Sequence, residues 1–132
     1  MPEITAATYS SAMPNLYVTG LDEAGTRAFS RKISEFFESE LGTPRQSIYV
    51  YRRQMSLYRD GEPAELPVIV EISWIKRPRE HFEKALAACT RIVREIGSSV
   101  PVQVELREKW DDAAIDGELA SAWAARVRRL PS

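Results

Sequence analysis

The chain has little of what metal, haem and disulfide chemistry require. Its 132 residues contain one cysteine and one histidine, too few for a disulfide framework or for a set of zinc, haem or iron-sulfur ligands. We therefore expect no cofactor and no metal. Lys and Arg number 18 against 19 Asp and Glu, and this balance lacks the basic surplus of a typical nucleic-acid-binding protein. We expect no nucleic-acid partner.

The sequence also lacks a long hydrophobic run. No segment approaches the ~20 apolar residues of a transmembrane helix, and the start of the chain lacks the basic residues and apolar run of a signal peptide. We therefore expect a cytoplasmic protein with no membrane partner. A chain of 132 residues is long enough to bury the core of one domain, so we predict a single domain over 1–132.

The first half of the chain has the pattern of a strand, a helix and a strand. Residues 2–9 are β-branched and partly alternating, which predicts a strand opened by a proline, and 10–20 is rich in turn-forming residues, which predicts a loop. Apolar residues at three- and four-residue steps predict an amphipathic helix over 22–42. Aromatic and β-branched residues predict a long strand over 48–58. We assign this first repeat to about 1–60.

The second half repeats the pattern. A proline opens the segment 67–75, whose two faces are both mostly apolar, and this favours a central strand. A helix is predicted over 78–97 and a further strand over 100–106. We assign the second repeat to about 66–112 and predict a helix in the C-terminal extension 113–132.

This order predicts an α+β fold of duplicated β-α-β units. Right-handed crossovers place both helices on one face of a four-stranded sheet. The other face would expose a large apolar patch, which implies oligomerisation, with a homotrimer and a face-to-face dimer as two ways to cover it. The C-terminal helix has three possible packing surfaces: its own sheet, a neighbouring subunit or a membrane.

Three short motifs stand out: Met1-Pro2, Gly42-Thr-Pro44 before Ile48-Tyr-Val50, and the run from Val70 to Arg77 leading into Glu80 and Glu83. They resemble the tautomerase superfamily, that is, proteins like macrophage migration inhibitory factor, and are most similar to a group of small bacterial members. The resemblance covers nearly the whole chain. It implies fused β-α-β repeats, an amino-terminal proline that acts as a base, and a homotrimer.

Pro2 and Arg77 are the candidate catalytic residues. If Met1 is removed, Pro2 supplies a secondary amine; a free α-amine titrates near pH ~8, which suits a general base. The other interpretation of Pro2 is a strand-opening residue at a sheet edge. Arg77 stands ten residues after Pro67, the spacing at which short tautomerases carry an arginine after their catalytic proline. The resemblance therefore points to Arg77 as the electrophilic partner, with Lys76 or an arginine of the second predicted strand as the alternatives.

Four further side chains are candidates for binding a small-molecule substrate. Arg52 and Arg53 are neighbours in a predicted strand and must point to opposite faces, so at most one of them serves a given pocket. Tyr49 stands where the short tautomerases have an arginine, and its phenol can donate to an oxyanion or stack across strands. Lys76 directly precedes Arg77. Each cation also fits an ion-paired surface role.

The leading functional hypothesis is a cofactor-independent tautomerase or isomerase that moves a proton on a small keto-enol substrate. Its alternative is a non-catalytic oligomeric binding or structural module on the same fold. A third hypothesis is another ferredoxin-like ligand-binding protein, such as a dimeric cofactorless oxygenase. Intact mass distinguishes the first two, because a retained Met1 turns the nitrogen of Pro2 into an amide with no basic lone pair.

Overall fold

The centre of the molecule is a four-stranded mixed sheet. The computed structural model describes residues 14–75 and 77–108, together with the backbone of 114–115 and 118–119. The strands of the sheet are β1 (Asn15–Thr19), β2 (Tyr49–Arg53), β5 (Val68–Trp74) and β6 (Val102–Glu108). Their order is β2-β1-β5-β6. The outer strands run parallel to their neighbours, and the two central strands are antiparallel to each other.

Two helices cover one face of the sheet, as the sequence predicts. They are α1 (Glu23–Leu41) and α2 (Arg79–Glu95). Helix α1 begins where the side chain of Asp22 accepts a hydrogen bond from the backbone N–H of Gly25 at 2.7 Å, and it ends at Gly42, whose φ of 67° is left-handed. Neither helix is long and apolar enough to cross a membrane.

The hydrophobic core lies between the helices and the covered face of the sheet. Alternate residues of the central strands contribute to it because successive side chains of a strand point to opposite faces. Trp74 is packed edge-on against Phe37 of α1, with ring centres 5.2 Å apart. The predicted α+β fold and the central position of the second-half strand are confirmed. The buried apolar residues of the described central strands are Leu16, Val18, Val68, Val70, Ile72 and Trp74.

The single cysteine belongs to this core. Cys89 of α2 has no exposed surface, and burial raises the pKa of its thiol from 9.0 to about 12. Because the thiolate is the reactive form, we expect the native protein not to react with a thiol reagent at pH 8, and to react completely once urea unfolds it. With a reagent that releases a chromophore when it reacts with a thiol, absorbance measures the reaction of the native and of the unfolded protein. Rapid reaction of the native protein would contradict the buried position.

The first strand of the sheet lies where the sequence predicts a loop. Strand β1 occupies 15–19, so the loop prediction for 10–20 is wrong at these positions. The turn-forming Pro14, Asn15 and Gly20 dominate the local pattern, whereas the burial of Leu16 and Val18 between neighbouring strands determines the conformation. The predicted strand over 2–9 lies outside the described residues.

The long strand predicted over 48–58 is also wrong as a single element. Strand β2 ends at Arg53, and a separate antiparallel hairpin follows, with strands β3 (Leu57–Arg59) and β4 (Glu62–Ala64). The turn between them is at the predicted place. Asp60 and Gly61 both have positive φ, 49° and 81°, as in the two-residue loops that join the strands of many β-hairpins.

The C-terminal extension differs from the prediction wherever it is described. Strands β7 (Ala114–Ile115) and β8 (Glu118–Leu119) pair antiparallel, so the helix predicted over 113–132 is wrong at these four positions. The sequence between them is Asp116-Gly117, a common signal for a hairpin turn. The other residues of that prediction lie outside the described part of the chain.

Gly20 sets how closely the two repeats approach. It follows β1 with φ of 96°, and a Cβ placed there would lie 2.4 Å from the carbonyl oxygen of Pro67. Gly42 has φ of 67°, and a Cβ placed there would meet no atom within 4 Å. We expect Gly42→Ala to cost about 1 kcal/mol of unfolding free energy, from the left-handed backbone alone, and Gly20→Ala to cost clearly more. Urea titration measures both, and equal losses would contradict the close approach.

Candidate functional site

The register of the sheet divides the candidate residues between its two ends. Since β1 and β5 are antiparallel, with Asn15 opposite Ser73, the end at which β1 begins is the end at which β5 finishes. We call it the Pro14 end, and it includes the segment that leads to Arg77. The opposite end of the sheet, where β1 finishes, is the Gly20 end.

At the Pro14 end, a buried donor and a cation lie beside the start of β1. Pro14 is buried, and its carbonyl oxygen accepts a hydrogen bond from the backbone N–H of Tyr49 at 3.5 Å. The strand register, continued by one residue, places Pro14 opposite Trp74. The indole Nε1 of Trp74 is buried and has no hydrogen-bond partner among the described residues. The guanidinium carbon of Arg77 lies 5.6 Å from the centre of the Trp74 ring.

Tyr49 reaches the same end from the other face of the sheet. It is opposite Asn15 in the parallel pair of β1 and β2, and its side chain is 55% exposed on the face without helices. A phenol in this position is free to contact a ligand or a second copy of the chain. The structure therefore places two predicted site residues, Tyr49 and Arg77, at the same end of the sheet but on opposite faces.

At the Gly20 end, the two neighbouring arginines are already engaged within the chain. The Nε of Arg52 donates to the carbonyl oxygen of Leu21 at 2.9 Å. The Nη1 of Arg53 lies 3.2 Å from a carboxylate oxygen of Glu71, and its guanidinium carbon lies 4.2 Å from the ring centre of Tyr17. Their different partners agree with the prediction that these side chains point to opposite faces. Both arginines line a cleft of about 700 Å³.

The two ends are too far apart for one small substrate. Five residues at ~3.3 Å each separate Pro14 from Thr19, or roughly 17 Å along the strand. Within one copy, a substrate held beside Arg77 therefore does not contact Arg52 or Arg53. The remaining predicted site residues, Pro2 and Lys76, lie outside the described residues.

The sheet face without helices carries a charged and aromatic cluster that sequence reasoning missed. Glu71 of β5 is only 5% exposed and pairs with Arg53 and with Arg107, the latter at 2.6 Å. Beside it, the rings of Tyr17 and Tyr51 stack with centres 4.9 Å apart. An acidic residue in a predicted central strand was the available signal, since a buried carboxylate requires partners. This face is thus polar and aromatic instead of the apolar patch that the alternation predicts.

The model of one protein family, described as a domain of unknown function (DUF1904), matches residues 13–108. The chain belongs to this family. No curated protein matches its sequence. The match includes the whole four-stranded sheet and both helices, and it begins one residue before Pro14.

Solved structures with low sequence identity share the fold of this DUF1904 protein. A DUF1904 domain from Sebaldella termitidis is 19% identical over 81% of this chain and 99% of that one, with a TM-score of 0.72. A fused 4-OT, described as an asymmetric trimer, is 14% identical over 83% and 98%, with a TM-score of 0.67. Pt0534 inactivated by 2-oxo-3-pentynoate is 18% identical over 83% and 97%, with a TM-score of 0.62. The resemblance to the tautomerase superfamily is confirmed, at the level of the fold.

Proposed function

We propose that this protein is a cofactor-independent tautomerase or isomerase that moves a proton on a small keto-enol substrate. The general base is an amino-terminal proline, which in the 132-residue chain is Pro2 after removal of Met1. Its nitrogen takes a proton from the carbon next to a carbonyl group, Arg77 stabilises the enolate oxygen, and the protonated amine returns the proton to another carbon. Lys76 is a further candidate for binding the substrate.

The arrangement at the Pro14 end carries this proposal. An enolate oxygen needs positioned donors in a site from which water is largely excluded. Arg77 supplies a permanent positive charge there, and the buried Nε1 of Trp74 supplies a donor without a partner in the described part of the chain. These groups stand at the start of β1 on a tautomerase-like fold, where an amine would face them.

We propose further that the working protein is a homotrimer. The uncovered face presents the exposed Tyr49 and Tyr51 and charged side chains, which suit contacts with other copies. Assembly would also let the Gly20 end of one copy, with Arg52 and Arg53, approach the Pro14 end of another, which the separation within one copy prevents. The trimeric state described for the fused 4-OT supports this assembly. Sedimentation equilibrium tests it, and a stable monomer would contradict it.

A non-catalytic binding module is the second candidate function. The observation that favours it is the engagement of Arg53, which is held by Glu71 and Tyr17, together with the tyrosine at position 49 in place of an arginine. In that case the charged and aromatic cluster around Glu71, on the sheet face without helices, serves assembly alone. Turnover of keto-enol substrates separates the two functions.

The test combines turnover with covalent labelling of the amine. The probe is 2-oxo-3-pentynoate: an amine nitrogen adds to the alkyne carbon remote from the ketone, the proton ends on the adjacent carbon, and nothing leaves. We expect a mass gain of one reagent molecule per chain, located on an amino-terminal proline, and a parallel loss of turnover on a panel of enolisable 2-keto acids. A protein that shows neither labelling nor turnover would contradict the proposal.

A further inference from the structure

We propose that the working chain begins at Pro14, whose amine and not that of Pro2 is the general base. This inference rests on the proposed function and assigns its base to a different residue. Pro14 follows Met13, so the chain contains the Met-Pro pair twice, at 1–2 and at 13–14. Initiation at Met13, followed by loss of that methionine, would produce the required terminus by the same processing step that Pro2 needs.

The family match is the first observation in favour of Pro14. It covers 13–108 and therefore starts at Met13. A DUF1904 domain of known structure aligns over 99% of its own length while covering only 81% of this chain. That share is about 107 of the 132 residues, so this chain is about 25 residues longer than the part that matches a complete domain of the family.

The position of Pro14 in the sheet is the second observation. It directly precedes Asn15, the first residue of β1. A chain that begins at Pro14 therefore has its terminal amine at the start of this strand. Proline has no backbone N–H to lose from the sheet, and a chain that begins there keeps all four strands of the central sheet. Among the described residues, the buried core extends from Leu16 to Val93, and the residues packed against it extend to Leu106. A chain that begins at Pro14 retains all of them.

The surroundings of Pro14 are the third observation. Pro14 lies opposite Trp74 in the register and shares its end of the sheet with Arg77. A free amine there would face both groups that the enolate requires. Pro2 is twelve residues earlier in the chain, and with that terminus the nitrogen of Pro14 is an amide that cannot accept a proton.

Three chains of different start test the inference: 14–132, 12–132 and 2–132. The chain 12–132 is the matched control, because it has a terminal amine only two residues away while the nitrogen of Pro14 is an amide. Intact mass confirms each terminus, and thermal unfolding confirms that each chain folds. We expect 14–132 to turn over the keto-acid panel at least about 100-fold faster than the other two chains. Peptide mapping after 2-oxo-3-pentynoate treatment should find the label on Pro14 in that chain alone.

The possible outcomes separate this inference from the proposed function. If 2–132 is labelled on Pro2 and turns over as fast as 14–132, the assignment to Pro14 is wrong while the proposed function stands. If no chain is labelled or active, both fail. A chain 14–132 that does not fold would also overturn the inference, since residues before Pro14 would then be needed.

The natural terminus provides a test that does not depend on activity. The protein is produced from its own gene with a C-terminal tag, alongside a Met13→Leu variant, and the intact masses are compared. We expect the wild-type gene to yield a chain that begins at Pro14. We expect the Met13→Leu gene to yield no chain with that terminus. A wild-type product that begins only at Pro2 would overturn the inference.

Discussion

Ile72→Asp should abolish the folded state. Ile72 has no exposed surface and lies in the central strand β5, opposite Leu16 on one side and Leu106 on the other. A carboxylate at this position is buried without a partner, which costs several kcal/mol, comparable with the roughly 5 to 15 kcal/mol that holds a domain folded. We expect circular dichroism to show no cooperative thermal transition in the variant.

The matched control for this prediction is Ile69→Asp. Ile69 belongs to the same strand but to the face without helices, and it is only partly buried. Within one copy, a carboxylate there keeps access to water, so we expect each copy still to fold and to show a cooperative transition at a lowered temperature. A variant Ile72→Asp that melts like the wild type would show that β5 is not the centre of the core.

The regular elements of the second repeat could be predicted because several local signals agree. The strand 68–74 and the helix 79–95 each combine a long apolar pattern with a proline before them, and nearby turn residues limit their length. Helix α1 has the same agreement between its cap at Asp22, its apolar stripe and Gly42. Such segments have one conformation that satisfies both local preference and burial.

The first strand could not be predicted from its own residues. Five residues between Pro14 and Gly20 are too few to show a period, and the polar Asn15 and Thr19 weaken the pattern. Their conformation is determined by pairing on both sides, with β2 and with β5. The segment after Pro2 contains more β-branched residues. The sequence therefore predicts the first strand there and favours Pro2 as the base.

The candidate site was predictable only in part for the same physical reason. The spacing from Pro67 pointed to Arg77, and the structure places that residue at the end of β5 as expected for the segment after a strand. The pairs that join Glu71 to Arg53 and Arg107 depend on the registers of β2, β1, β5 and β6. These registers are set by packing across the whole sheet, so no local spacing in the sequence contains them.

The comparison of Arg77→Ala with Arg79→Ala tests the electrophilic role most directly. Removal of one donor that stabilises a developing oxyanion typically costs ~100-fold or more in turnover, or about 2.7 kcal/mol in the barrier. We therefore expect this loss in Arg77→Ala, measured as kcat/KM on an enolisable keto acid in the most active chain. The unfolding temperature should fall by no more than about 10 °C, because a cation above an aromatic ring contributes only about 0.5 to 2 kcal/mol.

Arg79 is the matched control because it is an arginine two positions later whose side chain is 76% exposed and lies 3.7 Å from Glu83. An exposed pair of this kind is worth at most about 1 kcal/mol, so Arg79→Ala should turn over substrate like the wild type. Arg77→Lys keeps the charge without the planar fork and should fall between the two. If Arg77→Ala and Arg79→Ala are equally active, the enolate is stabilised elsewhere. The donor next in line is then the buried Nε1 of Trp74.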